Sequence, residues 1–155
     1  MHFFYDALMA FLDEIEAALA GQAGLQRVLD MTIAGLKAES GTIHLLEQDG
    51  VLHLKAARGI PDSVLEVVQL IPVGKGMAGL AVQRAQPVNV CNLQTDASGD
   101  VMPGARKTGL EGAIVVPVMA ADKAVGALGV ANREERTFTA EEIALLMEVG
   151  RRIAG

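Results

Sequence analysis

The sequence predicts an α+β fold in a single domain, with a central antiparallel sheet and helices at both ends of the chain. Helical apolar spacing occupies the two ends, whereas the middle holds two long segments that read as β-hairpins around turn signals. A chain of 155 residues is also long enough to bury roughly 70% of its unfolded surface around one core without staples.

The elements follow in order. Residues 3–20 place Phe4, Ala7, Leu8, Phe11, Leu12, Ile15, Ala18 and Leu19 at helical spacing, with acids on the other side. Gly21 and Gly24 punctuate, and a second helix is expected over residues 25–38 with Val28, Leu29, Ile33 and Leu36 inward. "SGTIHLLEQDGVLHLKAARG" reads as a hairpin in which Asp49-Gly50 supplies a two-residue type I′ turn. That register puts Ile43, Leu45, Leu52 and Leu54 on one face. It puts Thr42, His44, Leu46, Gln48, Val51, His53 and Lys55 on the other, more polar face. After Pro61 come a short helix (62–67), a strand near 69–73, a short helix (77–84) and a strand begun by Pro87. Residues 94–110 form a polar loop with Gly and Pro, of a length that in a compact domain marks a functional segment or a disordered one. "GAIVVPVMAADKAVGALGVAN" is the second hairpin, turning near residues 121–123. The last helix, 140–153, starts clearly: Thr139 caps it, Glu142 completes a T-x-x-E capping box, and Phe138 staples onto Ile143.

Composition narrows the function classes. A net charge of −6 without a basic cluster argues against nucleic-acid binding. One cysteine, Cys91, cannot form an internal disulfide, which points to a reducing compartment and a cytoplasmic protein. The longest apolar runs fall short of the ~20 residues a bilayer requires. The N-terminal helix carries four acids and no basic leader, so neither a signal peptide nor membrane attachment is expected.

Gly74-Lys75-Gly76-Met77-Ala78-Gly79 matches G-x-G-x-x-G, with strand-forming residues before it, a helical run after it and Asp96 about twenty residues on. A dinucleotide-binding crossover needs about a dozen or more residues between parallel strands, and only about eight separate Gly79 from Pro87. A P-loop is excluded because no Gly-Lys-Ser/Thr occurs. The glycines are better explained by a tight turn feeding a short helix. Gly76 or Gly79 would permit close backbone packing, and the amides of the helix start could face a small anion.

Val73-Gly74-x-Gly76-x-x-Gly79, "AVQRAQPVNVCNL", "TGLEGAIVVPVMAADKAVGALGVANR" and "FTAEEIALLMEVGRRIA", in that order, resemble a GAF domain from about residue 22 to the C-terminus. The resemblance implies an antiparallel sheet with the N- and C-terminal helices on one face. Short helices and loops would form a small-molecule pocket on the other. It implies a domain core at 22–155 and a dimerisation helix at 3–20. Such domains mostly sense a ligand or redox state and relay it to an output domain, such as a kinase, a cyclase or a transcription activator.

Candidate chemistry is sparse. GAF-like enzymes that reduce free methionine-R-sulfoxide place one cysteine in the glycine turn and another near the end of the long loop. Here those places hold Ala78 and a residue near Arg106. Cys91, on a presumed strand, reads as an ordinary small buried thiol. No catalytic residue is therefore assigned, and the sulfoxide reductase stands as the alternative reading. His44 and His53 share a face in the predicted register, but two histidines without a third ligand do not make a metal or haem site, so no metal or cofactor is expected. Asn132-Arg133, Phe138 and Glu142 partly echo a cyclic-nucleotide motif of GAF domains, although helix capping explains Phe138 and Glu142 without a nucleotide. If the 94–110 loop is a lid over an apolar pocket, the ligand-binding candidates are Gly76, Met77, Thr95, Asp96, Arg106 and Thr108. A solvated loop of mixed charge, with Met77 in the core, accounts for the same residues equally well. Helix 3–20 is apolar over more than one face, which predicts a homodimer built from helices 3–20 and 140–153. The periodicity of the last helix runs to the final residues, which suggests a linker helix and output module beyond it. A third reading is a pure dimerisation module with a degenerate pocket.

Overall fold

The computed structural model describes residues 2–101 and 103–155, and the side chains of all of these except 2–5 and 103–105. The side chain of Phe4, assigned above to the apolar stripe, lies outside that description.

Two helices, α1 (His2–Leu19) and α2 (Gly24–Gly35), lead into a hairpin of β1 (Ser40–Leu46) and β2 (Val51–Arg58). Then follow α3 (Asp62–Val68), β3 (Leu70–Pro72), α4 (Gly76–Arg84) and β4 (Val88–Val90). A 3-10 turn (Pro103–Thr108) interrupts the long loop before the hairpin of β5 (Gly112–Ala120) and β6 (Lys123–Asn132), and α5 (Ala140–Ala154) closes the chain. The strands form one sheet in the order β3-β2-β1-β6-β5-β4, and every neighbouring pair is antiparallel. The strands on either side of the glycine pattern, β3 and β4, are thus the two opposite edges of the sheet. A nucleotide-binding crossover between parallel neighbours is ruled out.

One face of the sheet carries the main core. Ile43, Ile114, Val116, Val118 and Leu128 from the strands pack with Leu12 and Ile15 of α1, Val28, Leu29 and Ile33 of α2, and Leu146 and Val149 of α5. The other face carries α3, α4 and the 94–110 loop, with a second cluster of Leu52, Ile71, Val82 and Ala127 beneath α4. α4 touches both edge strands as well as β5 and β6. Five strand spacings of about 4.8 Å would separate the edges of a flat sheet by about 24 Å, whereas nine helical residues span about 13 Å, so the sheet curls around the helix.

The capping box of α5 forms in full: the Thr139 hydroxyl accepts from the Glu142 amide at 3.1 Å, and the Glu142 carboxylate accepts from the Thr139 amide at 2.9 Å. Phe138 is buried in the same cluster that Ile143 packs against.

The first hairpin corrects the predicted register. The Glu47 amide donates to Val51 and the Gly50 amide to Glu47, which leaves a three-residue loop. Gly50 has φ 77°, and Asp49 is not among the residues of positive φ. A type I′ turn needs positive φ at both central positions, whereas a three-residue loop needs it only at the glycine. The pairing near the turn therefore shifts by one, to Leu46↔Leu52, Leu45↔His53 and His44↔Leu54. A bulge between Ile43 and His44 then restores the expected Ile43↔Ala56 pair. Leu52 and Leu54 accordingly share the α4 face with His44, and Val51 and His53 share the helix-bundle face with Leu45. The two histidines predicted to share a face lie on opposite sides of the sheet.

Candidate functional site

A cavity of about 270 Å³ lies between the sheet, α3, the start of α4 and the long loop. Its walls are chiefly apolar: Val64, Val67 and Val68 from α3, Ile71 from β3, Met77 and Ala78 from α4, and Leu93 and Val101 from the loop. The polar minority is Thr42, His44, Ser63, Lys107 and Thr108. Among the described residues, Lys107 is the only formally charged one in the lining, and none of those in the lining is a carboxylate.

The glycine pattern shapes the entry to α4. Gly79 lies so close to the preceding turn that a Cβ there would stand 2.4 Å from the carbonyl oxygen of Pro72. The Gly74 amide donates to the Gly79 carbonyl at 2.8 Å, and the Lys75 amide to the Pro72 carbonyl at 3.1 Å. These two turn amides are satisfied inside the protein and are not free to cradle a phosphate.

His44, on β1, is 2% exposed. Its Nε2 is 2.8 Å from the carbonyl oxygen of Val68, the last residue of α3. A carbonyl only accepts, so Nε2 carries the proton and Nδ1 is left with a lone pair. Burial lowers the His44 pKa, against a smaller opposite effect of the bond to Val68, so the ring is neutral. Nδ1 is buried and has no hydrogen-bond partner among the described residues. His53 pairs with Asp49 at 2.8 Å on the far side of the sheet. No group of three or more His, Cys, Asp or Glu able to hold a metal ion occurs among the described residues.

The structure divides the residues singled out in the loop and turn. Met77 and Thr108 line the cavity. Gly76 opens α4 beside Met77 and is not part of the lining. Thr95, Asp96 and Arg106 are not part of the lining either. Arg106 instead donates to the Asp96 carbonyl at 3.0 Å, while the Asp96 carboxylate accepts from the amide and hydroxyl of Ser98. Arg84 of α4 holds the Asp100 carboxylate with two bonds of 3.1 and 3.2 Å, which ties the loop to the helix. Sequence reasoning put Thr42 and His44 on the polar face of β1, which is the face the cavity covers, but named neither as a ligand-binding candidate, and it missed Ser63 altogether.

Cys91 is exposed and is not among the lining residues. Asn132, Arg133, Phe138 and Glu142, the echo of a cyclic-nucleotide motif, also lie outside the lining. Phe138 is buried under the guanidinium of Arg136, whose central carbon stands 4.2 Å from the ring centroid. No helix of the described residues is long and apolar enough to cross a membrane.

Comparison with known proteins adds the following. The family pattern described as GAF domain matches residues 21–155. No curated protein matches the chain. Among solved structures, the GAF domain from an Acinetobacter phosphoenolpyruvate-protein phosphotransferase superposes with a TM-score of 0.79 at 22% identity, over 100% of this chain and 92% of that one. A free methionine-R-sulfoxide reductase from Neisseria meningitidis, solved with its substrate, gives 0.76 at 18% identity over 94% and 85%. A domain of a two-component sensor histidine kinase protein from Sinorhizobium meliloti 1021, itself named only as putative, gives 0.68 at 17% over 86% and 88%. At these identities the likenesses carry the fold.

Proposed function

The chain belongs to the GAF domain family, and from that premise we propose that it is a regulatory sensor module, not an enzyme, which binds a small molecule in the cavity. The observation that carries this reading is the cavity itself, apolar in the main, with a few polar groups on one side of a sheet whose other side bears the terminal helices. β1 joins the two layers: His44 lines the cavity, and Ile43 packs in the helical core. A ligand that favours one placement of α3 and the loop thereby biases the helices behind the sheet, and a few kcal/mol of differential affinity is enough. The similar GAF and histidine-kinase domains come from larger proteins, which supports an output domain or partner as the listener here.

Native mass spectrometry of the protein purified from its own host tests the binding. A copurified small molecule released on unfolding is the expected result, and a cavity that is empty in every preparation overturns it. The likeness to methionine sulfoxide reductases favours a second reading, which the position of Cys91 opposes: an exposed thiol outside the lining has no route to a substrate bound there. The protein is expected to show no NADPH consumption with thioredoxin and free methionine-R-sulfoxide. Turnover that Cys91→Ser abolishes would establish the enzyme instead.

The reading also includes a second copy packed against the terminal helices. α1 rests on α2 and α5, and Arg152 of α5 stands 2.9 Å from Glu16 of α1. Met9 remains 37% exposed on the outer side of α1. Light scattering is expected to give the mass of two chains, and Met9→Glu is expected to raise the dissociation constant at least tenfold by placing a charge in an apolar contact. A monomer at every concentration removes the dimer from the reading.

A further inference from the structure

We infer that the cavity selects an amphipathic anion, an apolar body ending in a carboxylate, which enters body first and leaves its charge at the mouth in the field of Lys107. The inference rests on the sensor reading, since it concerns what the cavity recognises.

The lining is graded from its inner end to solvent. Val64, Ile71 and Leu93 are buried, whereas Ser63, Val67 and Lys107 are exposed and mark the mouth. Ser63 and Val67 belong to α3 and Lys107 to the 3-10 turn, and these two elements touch. An apolar group gains by moving to the inner end. A charged group loses there, because burial without a partner costs it more than apolar contacts return. A ligand with both parts is thus oriented by the lining before any specific bond forms.

The charge at the mouth sets the sign. Lys107 is the sole ion among the described lining residues. Met102, Pro103, Gly104 and Ala105 carry no ionisable side chain in any placement. Lys107 takes part in no ion pair among the described residues. The acids of α3, Asp62 and Glu66, are exposed and stand outside the lining. Asp96 and Asp100 in the loop are taken up by Ser98 and Arg84. Screening over ~8 Å at physiological salt lets the nearest charge outweigh the net −6 of the chain.

Attraction between charges needs no fixed hydrogen-bond geometry. The four-carbon stem lets the Lys107 ammonium follow an anion, and a separation of about 6 Å in water-like surroundings favours anion over cation about tenfold. A ligand ammonium meets like charge instead. Size sets the scale of the body: an engineered apolar cavity of about 150 Å³ holds benzene, so about 270 Å³ has room for a phenyl ring and a short chain.

3-Phenylpropionate, 3-phenylpropan-1-ol and 3-phenylpropylamine share one body and differ in charge. Calorimetry of the whole chain with each, in about 10 mM salt where screening is weak, is expected to show the carboxylate bound about tenfold more tightly than the amine, with the alcohol between. Lys107→Gln is expected to bring that ratio close to one and Lys107→Glu to invert it, while affinity for the alcohol stays the same. Both substitutions fall on an exposed side chain, so the fold is retained. A ratio near one in the unaltered protein, or a ratio that Lys107→Gln leaves unchanged, overturns the inference and leaves the cavity as a binding site. Binding of none of the three at millimolar concentration overturns the inference and the cavity together.

Discussion

Gly79→Ala is expected to destabilise the protein by about 3 kcal/mol, although helix propensity alone would favour alanine by about 1 kcal/mol. Gly79 sits inside α4, and a methyl group there would stand 2.4 Å from the Pro72 oxygen and 3.0 Å from the Gly74 nitrogen. Both are backbone atoms that no rotamer change can remove, so α4 must lift off the turn. Doing so breaks the bond from Gly74 to the Gly79 carbonyl and shifts Met77 and Ala78, which line the cavity. Gly74→Ala is the control. Its φ of 91° strains alanine, but the nearest obstacle is the flexible side chain of Gln83, so a loss of about 1–2 kcal/mol is expected. Urea unfolding of the two variants measures the difference. A neutral or stabilising Gly79→Ala would mean that α4 is not held by close approach.

The second large effect is expected at Arg136, where Arg136→Met should cost about 3 kcal/mol at neutral pH. This side chain joins three elements. It donates to the Leu36 carbonyl past the end of α2 at 2.7 Å, to Asn132 at the end of β6 at 2.8 Å, and to Glu142 in the first turn of α5 at 2.5 Å. Only a guanidinium presents enough donors in one plane, so Arg136→Lys is expected to recover less than half of the loss. The pH dependence identifies the Glu142 share. Burial pushes the Glu142 pKa up, but the Thr139 amide and Arg136 together outweigh it, and the net shift is downward. A carboxylate with a lowered folded pKa contributes stability that is full above its unfolded value of about 4.3 and is lost as pH falls through the folded one. The gap between the original protein and Arg136→Met should therefore narrow between pH 7 and pH 3. A gap of constant size would assign the whole effect to the carbonyl contacts and to packing over Phe138.

The parts of the fold that were legible in the sequence are those with redundant local signals. Thr139, Glu142 and Phe138 mark one helix start by side chains that all act within a few residues. The antiparallel hairpins and the short helix after the glycines likewise follow from spacing that leaves no room for a crossover. The first hairpin shows where such reading stops. Asp49-Gly50 suits both a two-residue and a three-residue turn, and the difference is the sign of φ at Asp49, which the dipeptide does not encode. A shift of one residue there moved His53 to the helix-bundle face, while His44, which alternates with Ile43 along β1, stays on the face predicted for it and lines the cavity opposite Leu54. The loop failed for a different reason. Charge clustering in sequence suggested ligand contacts, whereas Arg106 and Asp96 are spent on each other's neighbourhood and Asp100 on Arg84, sixteen residues away. Partners at that separation are set by how the loop folds back on α4.

Both outermost strands, β3 and β4, are only three residues long; Pro72 ends the first and Pro87 immediately precedes the second. A proline offers no amide to an incoming chain, and three residues give too short a template for strand addition. Growth of the sheet from protomer to protomer is thus blocked at both margins. Self-association must proceed through side chains on helices and loops, which leaves the backbone ladder closed to templated aggregation.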